Sequence, residues 1–239
     1  MEDFFGSLTP MRLTNHGKGK SLYLGKLLGQ PGDWEGFANL LEQYAGLKPH
    51  FRVLDALGNP RTDVVTAAFV HGSARFVCFL PEQLVAEPPG PETTVQLPER
   101  RHIYDVLRQD YLGHTAIIRT GAVPAVPKIF AALPCRLESL SLRVSGTQFA
   151  PGAEAKVRAT LAPAEIAGAG LCVRFEVLDP AGHPLAHYTR KVVANTGEFE
   201  LIVPLALNET PGRYTVQAEE IVSGLRAETA FIVAKDALQ

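Results

Sequence analysis

From residue 139 onward the sequence alternates apolar and polar side chains with a period of two. Leu140, Leu142 and Val144 oppose Ser139, Ser141 and Arg143, and Ala155, Val157, Ala159 and Leu161 alternate with Lys156, Arg158 and Thr160. Val173, Phe175 and Val177 keep the same rule, as do Tyr214, Val216 and Ala218. Successive strand residues point to opposite sides of a sheet, so this pattern demands antiparallel sheets with one buried and one wet face. Pro151-Gly152, Asp179-Pro-Ala-Gly182 and Pro211-Gly212 cut the region into short strands. Roughly seven short strands in about a hundred residues predict an immunoglobulin-like β-sandwich over 136–239.

Residues 48–135 read as a small antiparallel β domain. Strands are expected at Phe51–Asp55, Val64–Val70, Ala74–Leu80, Thr93–Leu97, Ile103–Leu107, Thr115–Arg119 and Lys128–Leu133, with a Pro-rich loop at 81–92. His71-Gly72 resembles a tight hairpin turn. An octet recurs across the two modules, VLDALGNP at 53–60 and VLDPAGHP at 177–184. Asp first and Gly fourth suit a type I turn. The octet therefore predicts a hairpin corner in each module, with a paired binding site as the alternative.

Residues 1–47 read differently. GKGKSLYLGKLLGQ gives a turn and an apolar strand over Ser21–Leu28. A helix then follows, N-capped by Asp33, with Trp34, Phe37, Ala38, Leu41, Tyr44 and Ala45 at helical spacing and Gly46 closing it. Strand plus amphipathic helix looks like the last unit of an α/β layer, a short remnant with an open strand edge and an uncovered helix face. Such surfaces associate unless buried. The expected fold class is thus mainly β: two β-sandwich-like modules, the C-terminal one immunoglobulin-like, after a short N-terminal α/β remnant. The expected partner is a second copy of the chain or a larger α/β or barrel-containing subunit.

Charge and cysteine usage narrow the function classes. A net charge of −2 with scattered Lys and Arg argues against a nucleic-acid surface. Cys78, Cys135 and Cys172 are odd in number and lack CxxC spacing, which speaks against both a disulfide framework and a structural zinc site. No apolar run approaches the ~20 residues that span a bilayer. MEDFFGSLTPMRL has no basic region followed by a long apolar one, so a signal peptide is not expected and the cytoplasm is the favoured compartment.

No catalytic, cofactor-binding or metal-ligating residue is assigned. HGKGKS at 16–21 lacks the first Gly of a phosphate loop, since Thr14 stands there, and a strand follows it where a helix is needed. His183 and His187 flank Pro184 across a turn, where a spacing of four has no helical meaning. Glu219 and Glu220 are strand neighbours pointing to opposite faces and are expected to be solvated or rim charges. Tyr111 and Tyr188 are the best loop aromatics for stacking on a sugar.

Two stretches carry a resemblance. IYDVLRQDYLGHT at 103–115 with IFAALP at 129–134, and the run from Val173 to Ala227, resemble the C-terminal accessory region of bacterial β-galactosidase-like glycoside hydrolases of family 42. In that arrangement an α/β trimerisation domain is followed by small β domains, and GKGKSLYLG with the following helix resembles its end. FAPG, FEVLDPAGHPL and PGRYTV are also similar to macroglobulin-type sandwiches. The resemblance implies a non-catalytic role in domain packing or oligomerisation, because the catalytic glutamates of such enzymes lie in a (β/α)₈ barrel with no counterpart here. Carbohydrate binding by aromatic stacking is the alternative.

Overall fold

The computed structural model describes residues 11–24, 37, 41–42, 48–61, 63–81, 92–121, 123 and 125–234. The chain is mainly β, in curled antiparallel sheets.

The first described elements are β1 (Met11–His16) and β2 (Gly19–Leu24), an antiparallel hairpin closed by His16 opposite Gly19. The GKGKS segment is therefore a hairpin turn and a strand start. The strand expected from Ser21 begins at Gly19 and is paired, its partner β1 having gone unrecognised in the sequence. Residues 25–28 lie outside the described residues. Of the expected helix, Phe37, Leu41 and Glu42 are described and helical; Trp34, Tyr44 and Gly46 lie outside them, as does 82–91.

The middle module contains β3 (Arg52–Leu54), β4 (Val64–His71), β5 (Ala74–Pro81), β6 (Glu92–Asp105), β7 (Asp110–Gly121) and β8 (Lys128–Leu133). They form one sheet in the order β3-β6-β8-β5-β4, with β7 on the other edge of β6. β6 covers the two strands expected at Thr93–Leu97 and Ile103–Leu107. It runs through as one, and a register shift between Gln96 and Arg101 takes up the irregularity. The sheet curls around Val77, Phe79, Val95, Ile103, Ile118 and Phe130, all buried.

The C-terminal module packs two sheets face to face. One contains β9 (Ser139–Val144), β11 (Glu154–Ala162) and β14 (Glu198–Pro204); the other runs β10 (Gln148–Phe149), β16 (Arg226–Val233), β15 (Gly212–Glu220), β12 (Leu171–Leu178), β13 (Arg190–Ala194). This is the immunoglobulin-like topology that the alternation predicted. Val157, Ala159, Val173, Phe175, Phe199, Val216 and Phe231 meet between the sheets, buried to 2% exposure or less. Burying each large apolar side chain contributes about 1.5–3 kcal/mol.

A tyrosine corner locks the turn between β14 and β15. Tyr214 Oη donates to the Thr210 carbonyl at 3.0 Å and to Glu209 Oε2 at 2.7 Å. Tyr188 Oη donates to Glu209 Oε1 at 2.6 Å, so one carboxylate holds two phenols. Burial and the neighbouring carboxylate push the Tyr188 phenol up to about 12 and Tyr214 higher still. Burial opposes ionisation of Glu209, and the two phenol hydrogen bonds outweigh it, holding the carboxyl below its usual range.

The two octets fold alike, bond for bond. Asp55 Oδ1 accepts from the Leu57 and Asn59 amides at 2.9 and 2.8 Å; Asp179 Oδ1 accepts from Ala181 and His183 at 2.9 and 2.8 Å. Gly58 and Gly182, at φ +87° and +85°, donate to the carbonyls of Asp55 and Asp179. Pro60 and Pro184 then bridge back to Leu54 and Leu178. Each octet leaves a strand whose neighbour opens the next hairpin, β3 beside β6 and β12 beside β15. Both aspartates are spent on turn geometry, as the turn reading expected.

Tyr214→Phe removes a buried hydroxyl and leaves Glu209 short of a donor. It should cost about 1–3 kcal/mol in denaturant unfolding, with the slope unchanged. The amide hydrogen bonds hold Asp55 and Asp179 below the usual carboxylate range, His183 contributing most for Asp179. Their contribution is therefore present above the unfolded value, near pH 4, and is lost as pH falls through the folded one. Thermal melts should show the stability gap between wild type and Asp179→Asn narrowing from pH 5 to pH 2.

Candidate functional site

The modules' sheets separate at Pro134–Glu138, yet one apolar core crosses the boundary. Ala74, Tyr104, Ala131 and Leu133 of the middle module belong to the same buried cluster as Leu137, Ile166, Ala169 and Leu171. Tyr104 Oη accepts the Leu137 amide at 2.8 Å. Two hairpin tips clamp the joint from either side. At the β4–β5 tip, the Ser73 amide donates to the Gly168 carbonyl at 2.9 Å and His71 Nε2 lies 2.9 Å from Asn195 Oδ1. At the β6–β7 tip, Gln109 Nε2 donates to Glu219 Oε1 at 3.2 Å and to the Ile221 carbonyl at 3.3 Å.

A sequence reading had little purchase on these contacts, because they join residues about a hundred positions apart. Gly72, at φ +57°, makes the first clamp possible: a Cβ there would overlap the Gly168 carbonyl oxygen. His71-Gly72 was expected as the turn, but the loop is Gly72-Ser73, with His71 paired to Ala74. Gly in the first central position suits a primed hairpin turn.

The outer face of β4, β5 and β8 is the surface that this joint only partly covers. In register across the strands lie Val65 opposite Leu80, Ala67 opposite Cys78, Phe69 opposite Phe76, and Cys78 opposite Ile129. No charged side chain interrupts this array. Along β5 the cover thins steadily: Ala74 is fully buried under the C-terminal module, Phe76 and Cys78 are half-buried, and Leu80 is 39% exposed. On β4, Val65 and Phe69 of this face are 51% and 60% exposed. β4 also ends the sheet, so its outer edge is unpaired among the described residues.

The polar groups that could carry chemistry are occupied in the architecture. Glu219 pairs with Arg226 at 3.0 Å and faces outward. Glu220 was expected to be solvated and is instead fully buried, a correction with a clear cause. Its carboxylate accepts the Val222 and Ser223 amides at 3.0 and 2.7 Å and the Ser223 hydroxyl at 2.6 Å, capping the β15–β16 turn. Burial pushes its carboxyl up in spite of those bonds. The pair does point to opposite faces. Outside Glu219, the face of β12, β15 and β16 forms a shallow depression of about 490 Å³ lined by Arg174, Glu176, Gln217, Arg226 and Glu228. Two ion pairs line it, Arg174 with Glu176 at 3.4 Å and Arg226 with Glu219 at 3.0 Å, and the Gln217 amide donates to Glu228 at 3.1 Å.

His183 faces Asp179 at 3.5 Å, while the His187 ring packs on Tyr188 at 4.1 Å. Among the described residues no three His, Cys, Asp or Glu side chains gather as metal ligands would. Burial pushes the thiols of Cys78, Cys135 and Cys172 up, which keeps them protonated. No helix among the described residues is long and apolar enough to cross a membrane.

One cluster escaped the sequence reading. His102 and His114 face each other across β6–β7 with stacked rings 4.6 Å apart, and His102 Nδ1 lies 2.8 Å from Tyr111 Oη. The Arg136 guanidinium sits 4.7 Å over the Tyr111 ring. The group ties the linker to the hairpin, and its signal in the sequence is the placement of the two histidines about a common turn. Tyr111 is thus engaged on its face, and Tyr188 is buried to 6% exposure.

No family model matches the sequence, and no curated protein does either. Solved structures give likenesses of low overlap. The adhesin InvE of Yersinia pseudotuberculosis is 11% identical, with 72% of this chain and 59% of that chain covered and a TM-score of 0.33. A putative membrane anchored protein of Corynebacterium diphtheriae is 10% identical, with 78% and 57% covered and a TM-score of 0.33. A glycosyl hydrolase family 2 member from Bacteroides cellulosilyticus is 15% identical, with 76% and 31% covered and a TM-score of 0.32. At this overlap none assigns a family or a function to the chain.

Gly72→Ala should loosen the joint, since the two backbones must part to admit a methyl group. Hydrogen exchange at the Ser73 amide and in 166–172 should accelerate. Gly58→Ala, with comparable φ but nothing within 4 Å of the added Cβ, should leave those amides unchanged.

Proposed function

We propose that this chain is a non-catalytic structural and assembly unit of a β-galactosidase-like glycoside hydrolase system, working by domain packing and subunit association. The observation that carries the reading is the outer face of β4, β5 and β8. It is uncharged, its junction end is already packed under a second domain, and its far end is open. Contiguous exposed apolar surface of this kind marks an interaction site.

The use made of the carboxylates supports the same reading. Asp55 and Asp179 shape turns, Glu209 clamps two phenols, Glu220 caps a hairpin, and Glu219 pairs across the joint. A general acid or base needs a carboxyl free to reach a substrate, and these are committed elsewhere. Sugar stacking gains nothing from Tyr111, whose face carries Arg136, or from Tyr188, whose ring is buried.

The purified chain, incubated with aryl galactosides and aryl glucosides, should release no aglycone above buffer. Turnover that co-elutes with the protein through successive columns would end the assembly reading.

A further inference from the structure

β4 is an unusual strand to leave at an edge. Natural edge strands are blunted by charge, proline, bulges or brevity. Val64–His71 reads VVTAAFVH: eight residues, without Lys, Asp, Glu or Pro, and without a register break against β5. It spans about 26 Å at ~3.3 Å per residue. His71 and Ala74 close a two-residue hairpin, and such closing pairs exchange both backbone hydrogen bonds. The odd-numbered residues of β4 therefore spend their N–H and C=O groups on β5. The even-numbered ones, Val64, Thr66, Ala68 and Val70, aim theirs at the edge that is open among the described residues.

We infer that β4 pairs antiparallel with β4 of a second copy, about a two-fold axis at Ala67, joining two middle-module sheets into one. This deepens the assembly reading and rests on it. A two-fold normal to the sheet matches residues of equal parity, so each copy presents the same face on the same side. Centred on Ala67, the register sets Val65 opposite Phe69, Ala67 opposite Ala67, and Val64 opposite Val70. The Val–Phe pairs are of the β-branched–aromatic kind that stabilises sheets. Small side chains meet at the axis, where Ala67 faces Ala67 in a non-hydrogen-bonded pair with Cα atoms about 4.5 Å apart. The open even-numbered groups become the hydrogen-bonded pairs, Thr66 with Ala68 and Val64 with Val70.

The outer apolar faces of the two copies would also become continuous, because Val65 and Phe69 of each lie on the same side as Leu80 and Phe76. The surface that one C-terminal module already covers at its junction end would thus extend unbroken across the axis. That continuity with an existing interface, together with the self-complementary Val65–Phe69 pairing about Ala67, favours a second copy over an unrelated strand.

The test is sedimentation equilibrium on the full chain and two double variants at exposed positions. Wild type should approach twice 25.9 kDa at micromolar concentration. V65K/F69K sets Lys against Lys at both cross-strand pairs and should be monomeric. V65E/F69K sets Glu against Lys at the same pairs and should remain dimeric. A monomeric wild type, or two variants that behave alike while both give wild-type circular dichroism, would overturn the pairing. Glycosidase turnover would instead sink the assembly reading itself, so the two failures are distinguishable.

Discussion

A sheet that is apolar on both faces cannot leave both in water, and β5 is such a strand. Val77 and Phe79 fill the inner core while Ala74, Phe76, Cys78 and Leu80 line the outer face. The C-terminal sandwich meets half of that demand. It docks over Ala74, Ala131 and Leu133, and the result is one hydrophobic cluster running through two modules. The clamps at Ser73–Gly168 and Gln109–Glu219 follow from that docking. They hydrogen-bond the Ser73 amide, the Gly168 carbonyl and the Gln109 amide that burial at the joint would otherwise strand without water, while the Ser73 hydroxyl stays unpaired among the described residues.

The rest of the molecule is organised by how polar groups are kept paired. The repeated octet solves one local problem twice: leaving a sheet strand, turning, and returning to bridge it. An Asp carboxylate accepting two amides ahead of it is an Asx-type turn. The glycine takes a positive φ that a side chain would strain, and the proline removes an amide that has no partner. The same solution serves an edge strand, β3, and a strand paired on both sides, β12. The octet therefore follows from turn chemistry and needs no shared ligand.

Much of this was legible in the sequence where one period governs. In β11, β12 and β15 the alternation names the buried set, because each strand has a dry face and a wet face and nothing else competes. The same period places Glu220 on the inward side after Tyr214, Val216 and Ala218; only the habit of reading a carboxylate as solvated hides it. Where the period is overlaid, the reading fails. β4 carries Val and Ala in both registers, with Phe69 in one of them, so it looks like a buried strand, and the structure puts it at an edge with both faces partly bare. β1 was invisible because MRLTNH alternates weakly. The joint was invisible because sequence neighbours say nothing of contacts such as Ser73 with Gly168.

The contrast between β4 and β12 shows why the open surface bears on function. On β12 the outward positions are Arg174 and Glu176, and they pair with each other at 3.4 Å, so that face is finished in water. On β4 the outward positions are Val65 and Phe69, and each is at least half exposed. The C-terminal sandwich spends its outer face on solvation, and the middle-module sheet keeps its outer face apolar. A large exposed apolar area is costly in a free monomer but contributes when covered. The chain bears that cost in the middle module, on the face whose junction end already serves as an interface.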